Sequence, residues 1–226
     1  MTARWKHWVL FGVWSAIVCT GCNLAAMSYF LFSPDPQEPP GLQPLAIKDS
    51  ETEVRVVVLT YCQPEIRPEL HNADRELSRG LVHHLREAHK YYKEKVREIE
   101  PAKVDAYKAN HPSWNSQDLC EIGQHFQADY VIYLEINKLA LYEEGSGNTL
   151  LRGKAEITTS LIDVTRPDSD AKNKTDVIPY PGESRYAFDV NDKTPTQFRQ
   201  EFLDYVAKKI SWYFVPRPTR DAYSCE

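Results

Sequence analysis

Several groups of side chains in this 226-residue chain are of types that do chemistry, and their spacing limits what each can do. His83 and His84 are adjacent and His89 follows, but neighbours on a helix do not face each other. No carboxylate completes a His-x-x-x-His set, so they make no metal site. Glu143 and Glu144 end a strand pattern, and adjacent residues on an extended segment point to opposite sides instead of converging on one substrate. Asp168, Asp170 and Asp176 have the chemistry of calcium ligands, yet their spacing departs from an EF-hand loop and Lys172 and Lys174 offset their charge. Gly145-Ser146-Gly147 joins two strands and has no helix start behind it, which excludes a phosphate cradle. Gly182-Glu183-Ser184 lacks the strand-turn-helix setting of a nucleophile elbow. Cys62 and Cys120 are a candidate disulfide on one rim of a sheet, with buried free thiols as the alternative, and Cys225 is expected free at the surface. The cysteine spacings match no zinc framework. These patterns imply no catalytic residue, no metal and no cofactor.

Cys22 stands apart because of what precedes it. Arg4 and Lys6 are followed by a charge-free apolar run and then by Gly21, which is the layout of a secretory signal cleaved between Gly21 and Cys22. The tetrad Cys19-Thr20-Gly21-Cys22 resembles a bacterial lipobox. That resemblance implies removal of residues 1–21, acylation of Cys22 with chains such as palmitate, and Cys22 as the mature N-terminus. Asn23, in place of Asp, would permit sorting to an outer membrane. A second reading stands beside it. No charge falls between Trp8 and Phe32, so residues 8–32 meet the length of about 20 residues needed for an uncleaved transmembrane anchor, with Arg4 and Lys6 cytoplasmic. Both readings place the remaining chain in the cell envelope, membrane-anchored, on the extracytoplasmic or periplasmic side.

Residues 22–53 form the membrane-proximal segment. Pro34, Pro36, Pro39, Pro40 and Pro44 favour polyproline II at ~3.1 Å per residue, an extended tether of roughly 35 Å that buries no core. Removing residues 1–21 leaves 25 basic against 32 acidic residues, a net charge of −7. Such a surface is repelled by nucleic acid and by anionic headgroups, so no nucleic-acid partner is expected.

The next 162 residues, 54–215, are the size of one domain, followed by a tail over 216–226. Val54–Leu59 reads as a central strand covered on both faces. A helix is expected from Asn72, as N-cap, to His89, with His84 against the sheet edge. A short strand near 96–99, a helix opened by Pro101 and a third helix carrying Leu119, Ile122 and Phe126 follow. The strand over 129–142 reads with Tyr130, Ile132, Leu134 and Ile136 on one face and Val131, Tyr133, Leu139 and Leu141 on the other. A hairpin leads to a strand over 150–164, then a polar loop over 166–182 and a strand over 184–190. Thr194-Pro195-Thr196-Gln197 is a capping box opening a last helix, whose Phe198, Phe202, Val206, Ile210 and Phe214 form one stripe. The order β-α-β-α-α-β-β-β-α implies an α/β two-layer sandwich with a mixed sheet, behind an apolar N-terminal anchor.

The segments 73–79 and 122–132, with Arg152–Ile157, Phe198–Gln200 and Ile210–Phe214, resemble a set of uncharacterised bacterial envelope lipoproteins. The helix that hands over to Gln127-Ala128-Asp129-Tyr130-Val131-Ile132 is similar at fold level to TolB amino-terminal domains and to the periplasmic domains of curli-type secretion lipoproteins. The long amphipathic strands of a secretion pore are absent from the sequence. The expectation is therefore a membrane-anchored binding or assembly module with an envelope protein partner. An envelope enzyme, hydrolase-like, is the alternative, since catalytic groups need only be neighbours in space. A lipid carrier is disfavoured by strand faces that read as filled. Tyr91, Tyr92 and Trp114 fall outside the main periodic faces and are candidate interface aromatics, with core or rim packing as the equal alternative.

Overall fold

A computed structural model describes residues 37–46, 52–62, 70–182 and 185–218. The signal, the run 8–32, Cys22 and Cys225 lie outside them. The described residues belong to the unit that begins at Gln37. Strand β2 (Val54–Cys62) lies inside a six-stranded mixed sheet because its β-branched residues are apolar on both sides. It runs parallel to β3 (Val96–Glu98) and to β4 (Tyr130–Tyr142). Antiparallel β5 (Leu150–Asp163) and β6 (Lys172–Tyr180) complete the order β3-β2-β4-β5-β6, and β7 (Phe188–Asp189) pairs with the start of β5. A separate two-stranded pair joins β1 (Gln37–Glu38) to β8 (Arg217–Pro218).

Helices α1 (Ala73–Tyr92) and α4 (Pro195–Ser211) cover one face of the sheet. Helices α2 (Pro101–Asn110) and α3 (Leu119–His125), with a 3-10 turn at Trp114–Ser116, cover the other face of its parallel half. Alternation along β2 supplies both cores: Val56 and Val58 face α1 and α4, whereas Val57 and Leu59 face α2 and α3. The α4 stripe is fully used, with Phe198, Phe202, Val206 and Ile210 all at 0 % exposure, and Thr194 Oγ1 accepts the Gln197 N–H as its cap. Burying each such side chain contributes about 1.5–3 kcal/mol.

The two covering helices run in the same direction. Arg199 meets Glu76 at 2.6 Å, His84 meets Asp204 at 2.8 Å, and the Tyr92 hydroxyl reaches the Pro216 carbonyl at 3.5 Å. Their C-terminal ends therefore meet at one corner of the domain. Gly80 makes this approach feasible, since a Cβ there would sit 2.9 Å from that of Ala207. His84 thus joins two helices and does not rest on the sheet edge.

Further expectations need correction. Asn72 does not cap α1 through its side chain; it sits at φ 63°, and its carbonyl accepts the Glu76 N–H. The helix also continues past His89 to Tyr92. Residues 172–180, expected in a polar loop, form β6. As an edge strand it needs few apolar residues, and only Ile178 is buried, so its pattern resembles a loop. In its stead the strand expected over 184–190 shrinks to the two residues of β7. In β4, a register shift between Ile136 and Lys138 adds one residue, and the bulge returns Leu139 and Leu141 to the face of Ile132 and Leu134.

The largest departure concerns the proline-rich segment. Gly41, Leu42 and Gln43 donate backbone hydrogen bonds to the carbonyls of Trp212 and Tyr213 at 2.9–3.1 Å. Leu45 is 1 % exposed within the main core. Residues 37–46 are thus a strap packed on the domain, closed by the β1–β8 pair, and the tail at Arg217 shares in it. Prolines 39, 40 and 44 fix an extended path without competing for these bonds.

Candidate binding surfaces

The residues singled out for chemistry are dispersed by the fold. Cys62 and Cys120 are free thiols. Cys62 packs with the core beneath α1 and α4, whereas Cys120 is carried by α3 on the opposite face, so the sheet lies between them. Burial, aided by Asp74, pushes the Cys62 thiol up to about 11, which leaves it protonated and weakly nucleophilic near neutrality. Asp168 and Asp170 are exposed on the loop, while Asp176 lies in β6, where it accepts the Tyr213 hydroxyl and pairs with Lys174 at 3.0 Å. Among the described residues no three His, Cys, Asp or Glu side chains are grouped to hold a metal ion.

The three histidines have separate structural positions. His83 is exposed, and His84 is the helix-helix link described above. His89 is buried in the last turns of α1 with Nδ1 2.6 Å from Glu98 Oε1 of β3 and Nε2 3.8 Å from Glu94. Burial raises the Glu94 carboxyl above its ordinary value, and His89 opposes that shift. The sequence reading missed this buried His89–Glu98 pair, because nothing in the spacing marks a helix residue facing a strand nine positions on.

Near the carboxyl end of β2, Lys108 donates to the Thr60 carbonyl at 2.7 Å and lies 4.5 Å above the Trp114 ring. Burial lowers its pKa, with Asp74 and Asp105 acting against the shift. Trp114, for which an interface and core packing stood as equal alternatives, is 9 % exposed and belongs to the second core. Tyr91 is 75 % exposed, as its place outside the periodic face implied.

Two grooves among the described residues are candidate sites, one along the β6 edge and one at the β4–β5 hairpin. The first, about 480 Å³, lies between the strap, β6 and the end of α4, with Tyr205, Trp212, Tyr213, Lys209 and Arg217 among its walls. Its charges are braced: Arg217 Nε donates to Glu38 at 2.6 Å, and Lys209 sits 4.5 Å from the Trp212 ring. Burial and the bond to Asp176 raise the Tyr213 phenol far above its ordinary value. The second groove, about 470 Å³, follows the β4–β5 hairpin and is lined by Tyr142, Glu143, Glu144, Lys138, Arg152 and Lys154. Glu143 and Glu144 therefore share a groove without sharing a target, since Glu143 pairs with Arg152 at 3.5 Å and Glu144 is exposed. Arg152 also donates to the Arg185 carbonyl at 2.8 Å, beside Tyr186, which is 95 % exposed. Tyr186 was not singled out in the sequence, where it reads as one more strand residue.

No protein family matches this chain, and no sequence of a curated protein does. Solved structures show a loose likeness. The chain is similar to a PelC dodecamer from Paraburkholderia phytofirmans, with 12% identity, a TM-score of 0.40, and coverage of 81% of this chain and 96% of that one. It is similar to a hypothetical protein from Chlamydia trachomatis at 16% identity and a TM-score of 0.40, covering 72% and 98%. A lipoprotein from Neisseria meningitidis gives 13% identity and a TM-score of 0.38, covering 70% and 99%.

Proposed function

We propose that this chain is an envelope lipoprotein, acylated at Cys22, whose α/β domain is a non-catalytic module that binds a protein partner at its hairpin end. The observation that carries the location is the basic start, apolar run and Gly21-Cys22 junction of the sequence. The binding face is supported by the hairpin groove, where Tyr142 and charges of both signs adjoin the fully projecting Tyr186. Tyrosine and arginine at a groove rim suit a protein surface, because they contribute broad contact area along with hydrogen bonds.

The test is photo-crosslinking in native membranes with benzoylphenylalanine at position 186, and in parallel the mass of the extracted protein. A mass lacking residues 1–21 with added acyl chains, abolished by Cys22→Ala, supports the anchor; a full-length unmodified mass sinks it. One crosslinked partner at position 186, lost in Arg152→Glu, supports the binding face. An unchanged pattern of adducts in Arg152→Glu removes it.

A further inference from the structure

Strand β6 ends the large sheet on one side, and the register identifies the backbone groups that its outer side presents. Val164 N–H donates to the Asp129 carbonyl at 2.9 Å, so by alternation Val131–Ile162, Tyr133–Ser160 and Glu135–Thr158 are the hydrogen-bonded pairs of β4 and β5. The intervening β5 residues Ile157, Thr159 and Leu161 then direct their bonds to Asp176, Lys174 and Lys172 of β6. Asn173, Thr175 and Val177 therefore aim both N–H and C=O away from the sheet, and among the described residues no backbone group meets them there. Pro179 shares their parity, which is where a residue without an N–H belongs. The Thr158 and Thr175 hydroxyls, 2.9 Å apart, fit the closer spacing of a pair that exchanges no backbone bonds.

This edge is complementary to itself. A second copy laid antiparallel, with Thr175 opposite Thr175, sets Asn173 opposite Val177 in both directions, so each outward group of these residues gains a partner. The same register sets Lys174 opposite Asp176 twice. Centring on Asn173, Lys174 or Asp176 instead places like charges directly opposite, and centring on Val177 sets Thr175 against Pro179, which has no N–H to donate. Lysine and proline commonly protect an edge strand. Here Pro179 blunts only the far end, and each Lys174 meets an aspartate. The pairing also brings a neighbour to Val177, which is 51 % exposed. The strap's bond to β6, from Lys172 to Gln43 at 2.7 Å, is made by a side chain and not by the outward backbone groups.

We infer that the chain forms a two-fold dimer through β6, a second copy being the strand that completes this edge and joins two sheets into one. The two-fold axis stands perpendicular to the joined sheet, so both straps lie on the same face of it. The dimer goes beyond the partner surface at the hairpin, and a different experiment reads it, so either can fail alone.

Single cysteines are placed in the full chain in a Cys225→Ser background, and intact cells are treated with a mild oxidant. In a hydrogen-bonded antiparallel pair the Cα atoms lie about 5.5 Å apart, within disulfide range, so Thr175→Cys should form a covalent dimer. Asn173→Cys alone should give about tenfold less, because its two copies stand four residues apart along the ladder, roughly 14 Å. Co-expressed with Val177→Cys, it should give the mixed dimer. Lys174→Asp, added to Thr175→Cys, sets two like-charged pairs opposite and should lower the yield about tenfold, and Lys174→Asp/Asp176→Lys should restore it. Absence of a dimer at 175 overturns the proposal, as does equal crosslinking at 173, 175 and the exposed control Tyr91→Cys. A yield at 175 that Lys174→Asp leaves unchanged does the same. Asp176 also accepts the Tyr213 hydroxyl, so if the swapped variant fails to fold, the cysteine pattern decides the question without it.

Discussion

Leu45→Ala tests whether the strap is part of the folded domain. A proline-rich tether would tolerate this change at under about 0.5 kcal/mol, the range of an ordinary surface substitution. The structure demands more. Leu45 is 1 % exposed and packs in the main core, so its truncation loses transfer energy and leaves a cavity, together about 2–5 kcal/mol. The lower half of that range is expected, since a strap of ten residues relaxes into a cavity more readily than a helix does. Three hydrogen bonds from Gly41, Leu42 and Gln43 to Trp212 and Tyr213 link the strap to the turn after α4, so the loss should spread to that turn. The assay is urea unfolding in detergent, followed by hydrogen exchange at the amides of Gly41, Leu42 and Gln43. A midpoint shift equivalent to about 2–3 kcal/mol, with faster exchange at all three amides, is the expected outcome. A shift under 0.5 kcal/mol would refute the reasoning, as would amides that exchange freely in the unaltered chain.

Two further predictions concern packing and pH. Gly153→Ala should destabilise the domain by about 1–3 kcal/mol, because the new Cβ would lie 2.6–2.7 Å from the fully buried Phe202 ring; the smaller Phe202→Leu should recover part of the urea midpoint in the double variant, and a fully additive loss would contradict this contact. Stability should also fall at alkaline pH. Burial raises the phenols of Tyr133 and Tyr180 from 10.0 to about 12, with Glu135 adding to the first and Glu201 to the second. A group whose pKa is higher when folded contributes fully below its unfolded value, so this stability is intact below pH 10 and is lost between about pH 10 and 12. Thermal unfolding followed from pH 9 to 12 should show the decline, shallower in Tyr133→Phe; a flat profile through pH 11.5 would count against buried phenols in the fold.

The sequence made legible those elements whose residues face a single uniform environment. The Phe198–Ile210 stripe of α4, its Thr194 cap, the apolar run of β2 and the Pro101 start of α2 are each local, and each was read correctly. The reading lost accuracy where a partner distant in sequence sets the environment. Lys172–Tyr180 is mostly polar and becomes a strand because β5 offers it a ladder, and Asn137 is left as a bulge because its neighbours Ile136 and Lys138 pair with successive residues of β5. Leu45 stands among prolines, and its burial depends on the backbone bonds that Gly41, Leu42 and Gln43 make to the turn after α4. The candidate surfaces share this history. Tyr91 could be marked from periodicity alone, but the Tyr142–Arg152–Tyr186 rim requires the hairpin to be folded.

The β1–β8 pair also determines how the domain would respond to force. Gln37 and Pro218 are direct partners in an antiparallel ladder two residues long, so the incoming and outgoing segments leave the fold side by side. A pull between an N-terminal anchor and anything attached to the C-terminal segment would open this short pair like a zipper, one rung at a time. The load would pass next through the strap to the turn at Trp212, and reach the large sheet only after those contacts had given way. The domain thereby carries a weak link in series ahead of its core, which lets it yield a short length of chain under tension while β2, β4 and β5 stay paired.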